Sequence, residues 1–300
     1  MASEIEVSAM RRAVVLSTFG LGGTSPNPPV GCVVLDHGGR VIGEGYHQRR
    51  GEPHAEVQAL AAAGDRARGG TAVVTLEPCN HHGLTPPCRQ AVLDAGIARV
   101  VIGLADPTSQ AGGGATRLRA AGVDVEVNVL ADTVRQVLRP WSHALALGRP
   151  HVTWLYETDG RGRITSPSQA LVRRHRAAVD AVVDVHGRIS EGRPGAHGQT
   201  AFTLTATTVT ENLDHLLKTL HAGGTRSVLA ACRPDLSHRL LAARLVDQAV
   251  CYAVPADPSG MGEPVPASWP DGFEVEAVEP TEGWVRITAT PSRPDTGTGQ

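Results

Sequence analysis

The 300-residue sequence contains a single lysine, Lys218, and few aromatic side chains. Aromatic residues make up 3% of the chain, and the formal net charge is −2. Proteins that bind nucleic acid usually combine clustered lysine and arginine with aromatic side chains that stack on bases. The composition therefore argues against a nucleic-acid partner, and against an enzyme that edits RNA or DNA.

Long apolar runs are missing as well. No segment approaches the ~20 consecutive apolar residues that a membrane helix needs. The N-terminal segment carries Glu4 and Glu6 where a signal peptide carries positive charge. We therefore expect a cytoplasmic protein with no membrane partner. In that compartment cysteines serve metal binding or catalysis more often than disulfides, and the chain has five of them: Cys32, Cys79, Cys88, Cys232 and Cys251.

Strand and helix patterns alternate along the chain, which predicts an α/β layer fold. The first region has predicted strands at 30–35, 41–47, 71–77, 99–106 and 123–129, and helices at 7–21, 54–64, 86–96, 114–122 and 132–147. After a predicted linker at 147–151, strands are expected from 152 and at 181–185, 227–231, 249–256, 273–278 and 284–290, with helices at 167–178, 210–222 and 235–245. We expect domains at 1–147 and 148–290, and a disordered polar tail at 291–300.

Two short motifs suggest a metal site. Residues 53–56 read PHAE, and residues 77–88 read EPCNHHGLTPPC. His54, Cys79 and Cys88 offer one imidazole and two thiols, a set that suits tetrahedral zinc with one open position. Structural zinc usually has four protein ligands, so three ligands with the nearby carboxylate of Glu56 favour catalytic zinc. The cysteines flank the start of a predicted helix, where free N–H groups stabilise thiolates.

The order of these residues is typical of one class of zinc enzyme. Zinc nucleobase deaminases carry H-x-E followed by P-C-x-x-C, with the glutamate as general acid and base. Here HAE and PC are present, but the second cysteine follows after eight residues. Two unrelated buried cysteines with a surface histidine, or a disulfide between Cys79 and Cys88, are the alternatives. The residue order and the strand-to-helix placement favour the metal site over both.

Longer segments resemble a known family. These are SPNPPVGCVV, GEGYHQRRGEPHAEV, VTLEPCNHHGLTPPC and the ADP that precedes a glycine cluster. Residues 7–145 thus resemble the deaminase half of the bifunctional riboflavin-biosynthesis enzyme, which joins a diaminohydroxyphosphoribosylaminopyrimidine deaminase to a 5-amino-6-(5-phosphoribosylamino)uracil reductase. The resemblance implies a cytidine-deaminase-like three-layer α/β/α domain with zinc on His54, Cys79 and Cys88. It also implies that Glu56 moves a proton to the ring nitrogen and then to the departing ammonia.

The same resemblance implies a set of substrate-binding residues. Asn27 is expected to hydrogen-bond the substrate, and His47, His81 and Asp106 to line the pocket. Each has a plainer alternative: Asn27 lies between prolines, as a turn residue does, and the histidines could be surface groups or satisfied polar groups.

Leu84 departs from the family pattern. The family reads G-[K/R]-T-P-P-C at this point, with a cation that neutralises the substrate phosphate, whereas this chain reads GLTPPC. Leucine cannot supply a charge-assisted hydrogen bond. Either Arg49, Arg50 or Arg89 supplies the charge instead, or the substrate carries no phosphate there. We favour the second interpretation, an altered substrate used in specialised metabolism.

The second region resembles the reductase half of that enzyme, a dihydrofolate-reductase-like α/β domain, but departs at its functional positions. Where the family reads S-V-L-V-E-G-G-P-x-L, this chain reads SVLAACRPDL, so Ala231, Cys232 and Arg233 replace Glu-Gly-Gly. Such glycines let a nucleotide phosphate approach the backbone. Leu155 stands at the family lysine in a gapless alignment, and VHGRISEGRPGAHG replaces G-T-V-L-x-D-D-P. We expect a degenerate reductase domain that binds no nicotinamide cofactor and serves packing or dimerisation.

These observations predict a zinc-dependent hydrolytic deaminase that acts on an aminopyrimidine or related amino-heterocycle and releases ammonia. Zinc is the one cofactor expected, the partner is a small-molecule substrate, and the chain is expected to form a homodimer. Two alternatives stay open: the authentic riboflavin-pathway deaminase, and a catalytically inactive zinc-stabilised interaction protein. Glu56 argues against the last, since a structural zinc site does not need that carboxylate.

Overall fold

The computed structural model describes residues 1–80, 87–108, 113–159, 161–198, 202–253, 270–281 and 283–292. The helices are α1 (Glu4–Thr18), α2 (Ala55–Ala63), α3 (Cys88–Asp94), α4 (Gly114–Ala120), α5 (Ala131–Leu147), α6 (Gln169–Arg176), α7 (Leu213–Ala222) and α8 (Pro234–Ala242). The strands are β1 (Gly31–Leu35), β2 (Val41–Tyr46), β3 (Thr71–Leu76), β4 (Arg99–Leu104), β5 (Asp124–Glu126), β6 (His151–Thr158), β7 (Ile164–Thr165), β8 (Ala181–Val183), β9 (Ile189–Glu191), β10 (Ser227–Ala230), β11 (Gln248–Ala253), β12 (Phe273–Thr281) and β13 (Trp284–Pro291).

The chain forms two compact units. The first comprises Met1–His143 together with Gly195–Phe202, and the second comprises Ala144–Pro194 and the chain from Thr203 onward. A short segment from the second half of the sequence therefore belongs to the first unit. No sequence pattern indicated this return of the chain.

The sheet of the first unit has the strand order β2-β1-β3-β4-β5. Strand β1 is antiparallel to β2 and β3, whereas β3, β4 and β5 are mutually parallel. Because parallel strands end at the same edge of a sheet, the residues after β3 and after β4 emerge side by side. Residues 77–80 and Asp106 occupy this edge.

Helices cover both faces of this sheet. A Cβ atom on Gly31 would lie 2.0 Å from the carbonyl oxygen of Ala13 in α1, and one on Gly45 would lie 2.5 Å from that of Ala55 in α2. Gly45 pairs with Cys32, the neighbour of Gly31. Adjacent strand residues point to opposite faces, so α1 and α2 lie on opposite sides of the sheet. The expected three-layer α/β/α architecture is therefore present.

The second unit contains an eight-stranded sheet in the order β12-β13-β11-β6-β10-β8-β9, with β7 paired to β6. Its central strands β11, β6, β10 and β8 are parallel and buried on both faces. Along β6, Trp154 and Tyr156 stack with ring centroids 4.0 Å apart in one apolar cluster, while Leu155 packs in the other. This alternation anchors β6 between two apolar layers.

The predicted linker at 147–151 is tightly fixed at its centre. The Arg149 guanidinium donates to both carboxylate oxygens of Asp247 at 2.6 and 2.7 Å, and the Val152 N–H donates to the same carboxylate at 2.8 Å. The Arg149 and Asp247 side chains are 10% and 7% exposed. A buried ion pair therefore ties the start of β6 to the start of β11.

Two local expectations were wrong. The glycine, proline and histidine content of residues 186–200 predicts a loop, but strand β9 lies within this stretch. Strand β13 continues to Pro291, the first residue of the predicted tail. Residues 293–300 lie outside the described part of the chain. Among the helices described above, none combines the length and apolar character that crossing a bilayer requires.

Candidate active site

Helix α2 places the histidine and the glutamate of the first motif. His54 is its extended N-cap residue and Glu56 lies in its first turn. The helix can approach the sheet because Gly45 has no side chain: a Cβ there would lie 2.5 Å from the Ala55 oxygen and 2.7 Å from the Ala59 nitrogen. Close packing of α2 on β2 thus brings His54 and Glu56 toward the sheet edge where β3 ends.

The two cysteines approach the same point from the other side of the motif. Cys79 follows strand β3, and Cys88 is the first residue of α3. The backbone N–H of Cys88 donates to the Cys79 sulfur at 3.2 Å, and that of Arg89 donates to the Cys79 oxygen at 3.3 Å. These bonds fold residue 79 back against the start of α3, so both sulfurs face one position.

The three donor atoms fit zinc. The His54 Nδ1 atom lies 3.1 Å from the Cys88 sulfur and 3.7 Å from the Cys79 sulfur, and all three donors lie within 4.8 Å of one another. Tetrahedral zinc with Zn–S near 2.3 Å and Zn–N near 2.0 Å sets its ligand atoms about 3.5–3.8 Å apart. Within the described ranges, these residues are the one group of three or more histidine, cysteine or acidic side chains arranged in this way.

The electrostatics of the cluster favour a thiolate. A hydrogen bond from Cys88 lowers the pKa of the Cys79 thiol, and the hydrogen bond to Cys79 raises the pKa of His54. The pKa of Cys88 is raised because its thiol donates to Cys79 and is buried. Zinc binding needs two thiolates and a neutral imidazole, so it must release the protons that these groups share.

Glu56 is placed for proton transfer beside these donors. The residue is 4% exposed, and burial raises the pKa of its carboxyl to about 7, opposed by the hydrogen bond to its own backbone N–H. The Cys88 thiol carries a single proton, which either the Cys79 sulfur or the Glu56 carboxylate can accept. A carboxyl with a pKa near neutrality can both accept and donate a proton at that pH.

Asn27 and His47 form a polar pair next to the donors. The Asn27 amide nitrogen lies 3.2 Å from Nε2 of His47, and the His47 and His54 rings meet edge to face with centroids 4.9 Å apart. Burial, together with the His54 charge, lowers the pKa of His47 to about 4, so the ring is neutral at pH 7. If the amide donates to Nε2, the ring proton lies on Nδ1, which faces the Pro53 carbonyl at 3.5 Å.

Asp106 lies after β4. The backbone there is held by the carboxylate of Glu77, a residue that no sequence pattern singled out. The carboxylate of Glu77 accepts from the N–H of Asp106 at 3.0 Å and from that of Ala115 at 2.8 Å. The Asp106 carboxylate itself accepts two hydrogen bonds from Thr108. Glu77 thus joins the segment after β4 to the first turn of α4. Its place in the E-P-C stretch was the one signal that could have identified it.

The remaining predicted substrate residues are only partly described. His81 and Leu84 lie outside the described residues. Of the three arginines considered as replacements for the missing cation, Arg49 pairs with Glu52 at 3.0 Å and Arg50 is exposed. Arg89 stands next to Cys88 and has a buried Nε atom that makes no hydrogen bond among the described residues.

In the second unit, the turn between strand β10 and helix α8 can be compared with the turn between β3 and α3. It is filled by side chains. Strand β10 ends at Ala230, and α8 begins at Pro234. Between them Ala231 and Cys232 are 1% and 2% exposed and belong to the two apolar clusters. Of the two positions at which the resembling family has glycine, Cys232 is therefore a core residue here, whereas Arg233 is exposed.

Comparison with known proteins agrees with this site. The family model for the cytidine and deoxycytidylate deaminase zinc-binding region matches residues 3–104. The riboflavin biosynthesis protein RibD of Escherichia coli K12 is 49% identical over 174 residues, which cover 57% of this chain and 47% of that protein. RibD of Mycobacterium tuberculosis CDC 1551 is 43% identical over 198 residues, 62% of this chain and 58% of that protein. The matched sequence thus spans about half the length of these relatives.

Similarity in three dimensions extends further along the chain. The diaminohydroxyphosphoribosylaminopyrimidine deaminase/5-amino-6-(5-phosphoribosylamino)uracil reductase of Thermotoga maritima superposes with a TM-score of 0.76 at 28% identity, covering 96% of this chain and 99% of that one. Acinetobacter baumannii RibD gives 0.75 at 26% identity, covering 97% and 99%. The predicted fold and the predicted zinc-binding region are both confirmed.

Proposed function

We propose that this chain, which is similar to the RibD riboflavin-biosynthesis proteins, catalyses hydrolytic deamination of diaminohydroxyphosphoribosylaminopyrimidine. The observation that carries the proposal is the grouping of the His54, Cys79 and Cys88 donor atoms within 4.8 Å, with the buried carboxyl of Glu56 beside them. Water replaces the exocyclic amine of the ring, and ammonia leaves.

Each residue of the candidate site has a separate role in this reaction. Zinc, when bound by His54, Cys79 and Cys88, supplies a water that is acidic enough to be a nucleophile near neutral pH. The Glu56 carboxylate would accept one proton of that water and donate it to the ring nitrogen. It would then accept the second proton, from the hydroxyl now on the ring carbon, and donate it to the amine, so that the ring carbonyl forms as the C–N bond breaks and ammonia leaves. Asn27 and His47 orient the pyrimidine: the neutral His47 ring and the Asn27 amide offer both donors and acceptors without charge.

The phosphate on this substrate needs a counter-charge that Leu84 cannot provide. The sequence alone favoured a non-phosphorylated substrate for this reason, but the relatives found by comparison are riboflavin-pathway proteins, and none supports the altered substrate. Arg89 is the cation best placed to compensate, since it follows the ligand Cys88 and its buried Nε has no protein partner among the described residues.

The proposal is tested by ammonia release from the phosphoribosyl substrate and from its dephosphorylated form, with zinc-loaded protein. A strong preference for the phosphorylated compound supports the riboflavin-type reaction, and Arg89→Ala should then raise KM for it by about tenfold or more, the scale of one charge-assisted contact. Gln90→Ala, on an exposed neighbour, is the control. Equal use of both compounds, with Leu84→Arg selectively improving the phosphorylated one, would restore the altered-substrate interpretation; no ammonia from either would remove the proposal.

Two further expectations belong to this proposal. The second unit is a retained fold without reductase chemistry, and the active form is a homodimer in the cytoplasm, where thiol ligands stay reduced. Light scattering of the purified chain measures the mass of the particle: a single-chain mass at micromolar concentration would contradict the dimer.

A further inference from the structure

A short stretch of the second half of the sequence packs in the deaminase unit. We call Gly195–Phe202 the returning segment; its residues 199–201 lie outside the described part. The segment carries no acidic or basic side chain other than His197. His197 and Phe202 are 2% and 8% exposed, and their rings stack with centroids 4.0 Å apart and planes 13° from parallel. The segment is therefore anchored by a buried aromatic pair.

The returning segment contacts two loops of the first unit. A Cβ atom on Gly23 would lie 3.8 Å from that of Ala196, and one on Gly198 would lie 3.9 Å from Cδ of Arg49. Gly23 belongs to the loop between α1 and β1, and Arg49 to the loop between β2 and α2. The loops also touch each other, since a Cβ on Gly20 would lie 2.7 Å from the His47 oxygen.

Both loops end in residues of the candidate active site. The first leads to Asn27 and the second begins with His47, the two residues joined at 3.2 Å beside His54. Neither residue lies within a helix or strand: Asn27 lies in a turn, where its N–H donates to the Thr24 oxygen at 3.0 Å, and His47 follows β2, where its N–H donates to the Val30 oxygen at 2.9 Å. Beyond these backbone bonds, the relative position of the two side chains depends on what packs against the loops that carry them.

We propose that the returning segment is a positioning element of the deaminase site, which holds the two loops so that Asn27 and His47 keep the geometry that binds the pyrimidine. The expected change in KM rests on the proposed function, because it is measured with the pyrimidine substrate. A misplacement of about 1 Å in substrate-orienting groups costs up to about a hundredfold in rate or affinity. Neither His197 nor Ala196 needs to touch the substrate for this effect.

The test compares His197→Ala with His186→Ala, a matched control because His186 is exposed and belongs to the second unit. His197→Ala should raise KM for the pyrimidine substrate about tenfold, while kcat, zinc content and the melting temperature of the second unit change little. Amide hydrogen exchange of the same variant should become faster in residues 20–27 and 47–53, and stay unchanged in β3 and β4. His186→Ala should change neither readout.

The hydrogen-exchange readout separates this inference from the proposed function. If the wild type releases no ammonia but His197→Ala still loosens both loops, the bracing role stands and the proposed reaction fails. Should the wild type be active and His197→Ala leave both KM and loop exchange unchanged, the inference is overturned. Because His197→Ala could unfold the chain, Ala196→Leu is the second variant: this half-buried position contacts Gly23 without lying in the core, and it too should raise KM selectively. An Ala196→Leu protein with unchanged KM would also overturn the proposal.

Discussion

Both units contain a buried parallel strand that leads into a helix, but the two strand ends carry side chains of different kinds. After β3 the chain presents Cys79, and helix α3 then begins at Cys88, so thiol groups gather at the strand end. After β10 the chain presents Ala231 and Cys232, which are buried among apolar side chains. A shared arrangement of strand and helix therefore does not by itself provide a reaction site; the side chains placed at the strand end decide.

Sequence and structure comparisons show how far the chain as a whole resembles its relatives. The sequence matches to the curated relatives above cover 57% and 62% of the chain, whereas superposition on the Thermotoga maritima enzyme covers 96%. Fold is thus retained over more of the chain than close sequence similarity is. The following experiments separate a unit that performs chemistry from one that is retained as a fold.

The largest expected effect is loss of the metal. Cys88→Ser should bring zinc well below one equivalent per chain and deamination to background, because a hydroxyl is a much poorer zinc ligand than a thiolate. Cys232→Ser, in the second unit, should keep both zinc and activity. Metal analysis and ammonia release measure the outcome, and a Cys88→Ser protein that retains stoichiometric zinc would contradict the assigned ligand set.

Removing the proton carrier alone should come next. Glu56→Gln keeps the shape and hydrogen-bonding capacity of the side chain but cannot accept a proton, so kcat should fall about a hundredfold to ten-thousandfold. Zinc content should stay at the wild-type value, and Asp94→Asn on the exposed side of α3 should leave kcat unchanged. Turnover within threefold of wild type would show that Glu56 is not the general acid and base.

Substitutions in the second unit should change the free energy of unfolding, and not the rate of a reaction. Arg149→Ala leaves Asp247 buried without its cation, and the loss of one partner of a buried pair costs about 3–5 kcal/mol. Arg188→Ala, which breaks an exposed pair with Asp184, should cost about 1 kcal/mol or less. Urea denaturation followed by tryptophan fluorescence, with Trp154 reporting on β6, measures both; equal losses would show that burial of the Arg149 pair contributes nothing extra.

Acid should weaken the second unit through a half-buried histidine. Burial, with the nearby charges of Arg286 and Arg174, lowers the pKa of His175 from 6.5 to about 4, and its Nε2 lies 2.9 Å from the Tyr252 hydroxyl. The unfolded chain then binds more protons than the folded one between these values, so stability rises with pH across this window and is lost as pH falls from 6.5 toward 4. The loss should be on the order of 2 kcal/mol, and His175→Gln should flatten that part of the stability profile. An unchanged slope in the variant would exclude His175 as the source.

The smallest expected effect is that of adding NADPH, which should not bind to the second unit. NADPH should produce no heat signal in calorimetry and no shift in melting temperature, because the side chains of buried Cys232 and of Arg233 occupy the two positions where a nucleotide phosphate would need bare backbone. Dissociation in the micromolar range would show that the second unit retains a cofactor site.

Much of the fold could be predicted because local patterns agree with it. The helix predicted at 54–64 spans Ala55–Ala63, and the strand predicted at 71–77 spans Thr71–Leu76. The apolar periodicity and the glycines at element ends carried that information. Short strands such as β9 were missed, because three residues contain too little periodicity to distinguish a strand from a loop.

Long-range features could not be predicted for a different reason. The pairing of Arg149 with Asp247 joins residues 98 positions apart, and the Glu77 carboxylate bonds backbone N–H groups 29 and 38 positions away. Nothing in the sequence near either residue indicates its partner. The grouping of His54, Cys79 and Cys88 could be predicted despite a similar separation, because metal chemistry restricts the residue types so strongly that spacing and order suggest it.

The close approach of α2 at Gly45 predicts how the protein tolerates substitution at this position. Any larger residue there would push α2 outward by the thickness of a methyl group and carry His54 and Glu56 with it, since the Ala55 oxygen lies 2.5 Å from where the Cβ would be. A saturation-mutagenesis survey that scores turnover should therefore find this chemically inert position nearly as intolerant as the metal ligands. Mutational intolerance would in that case map the spacing between helix and sheet, and not only the groups that react.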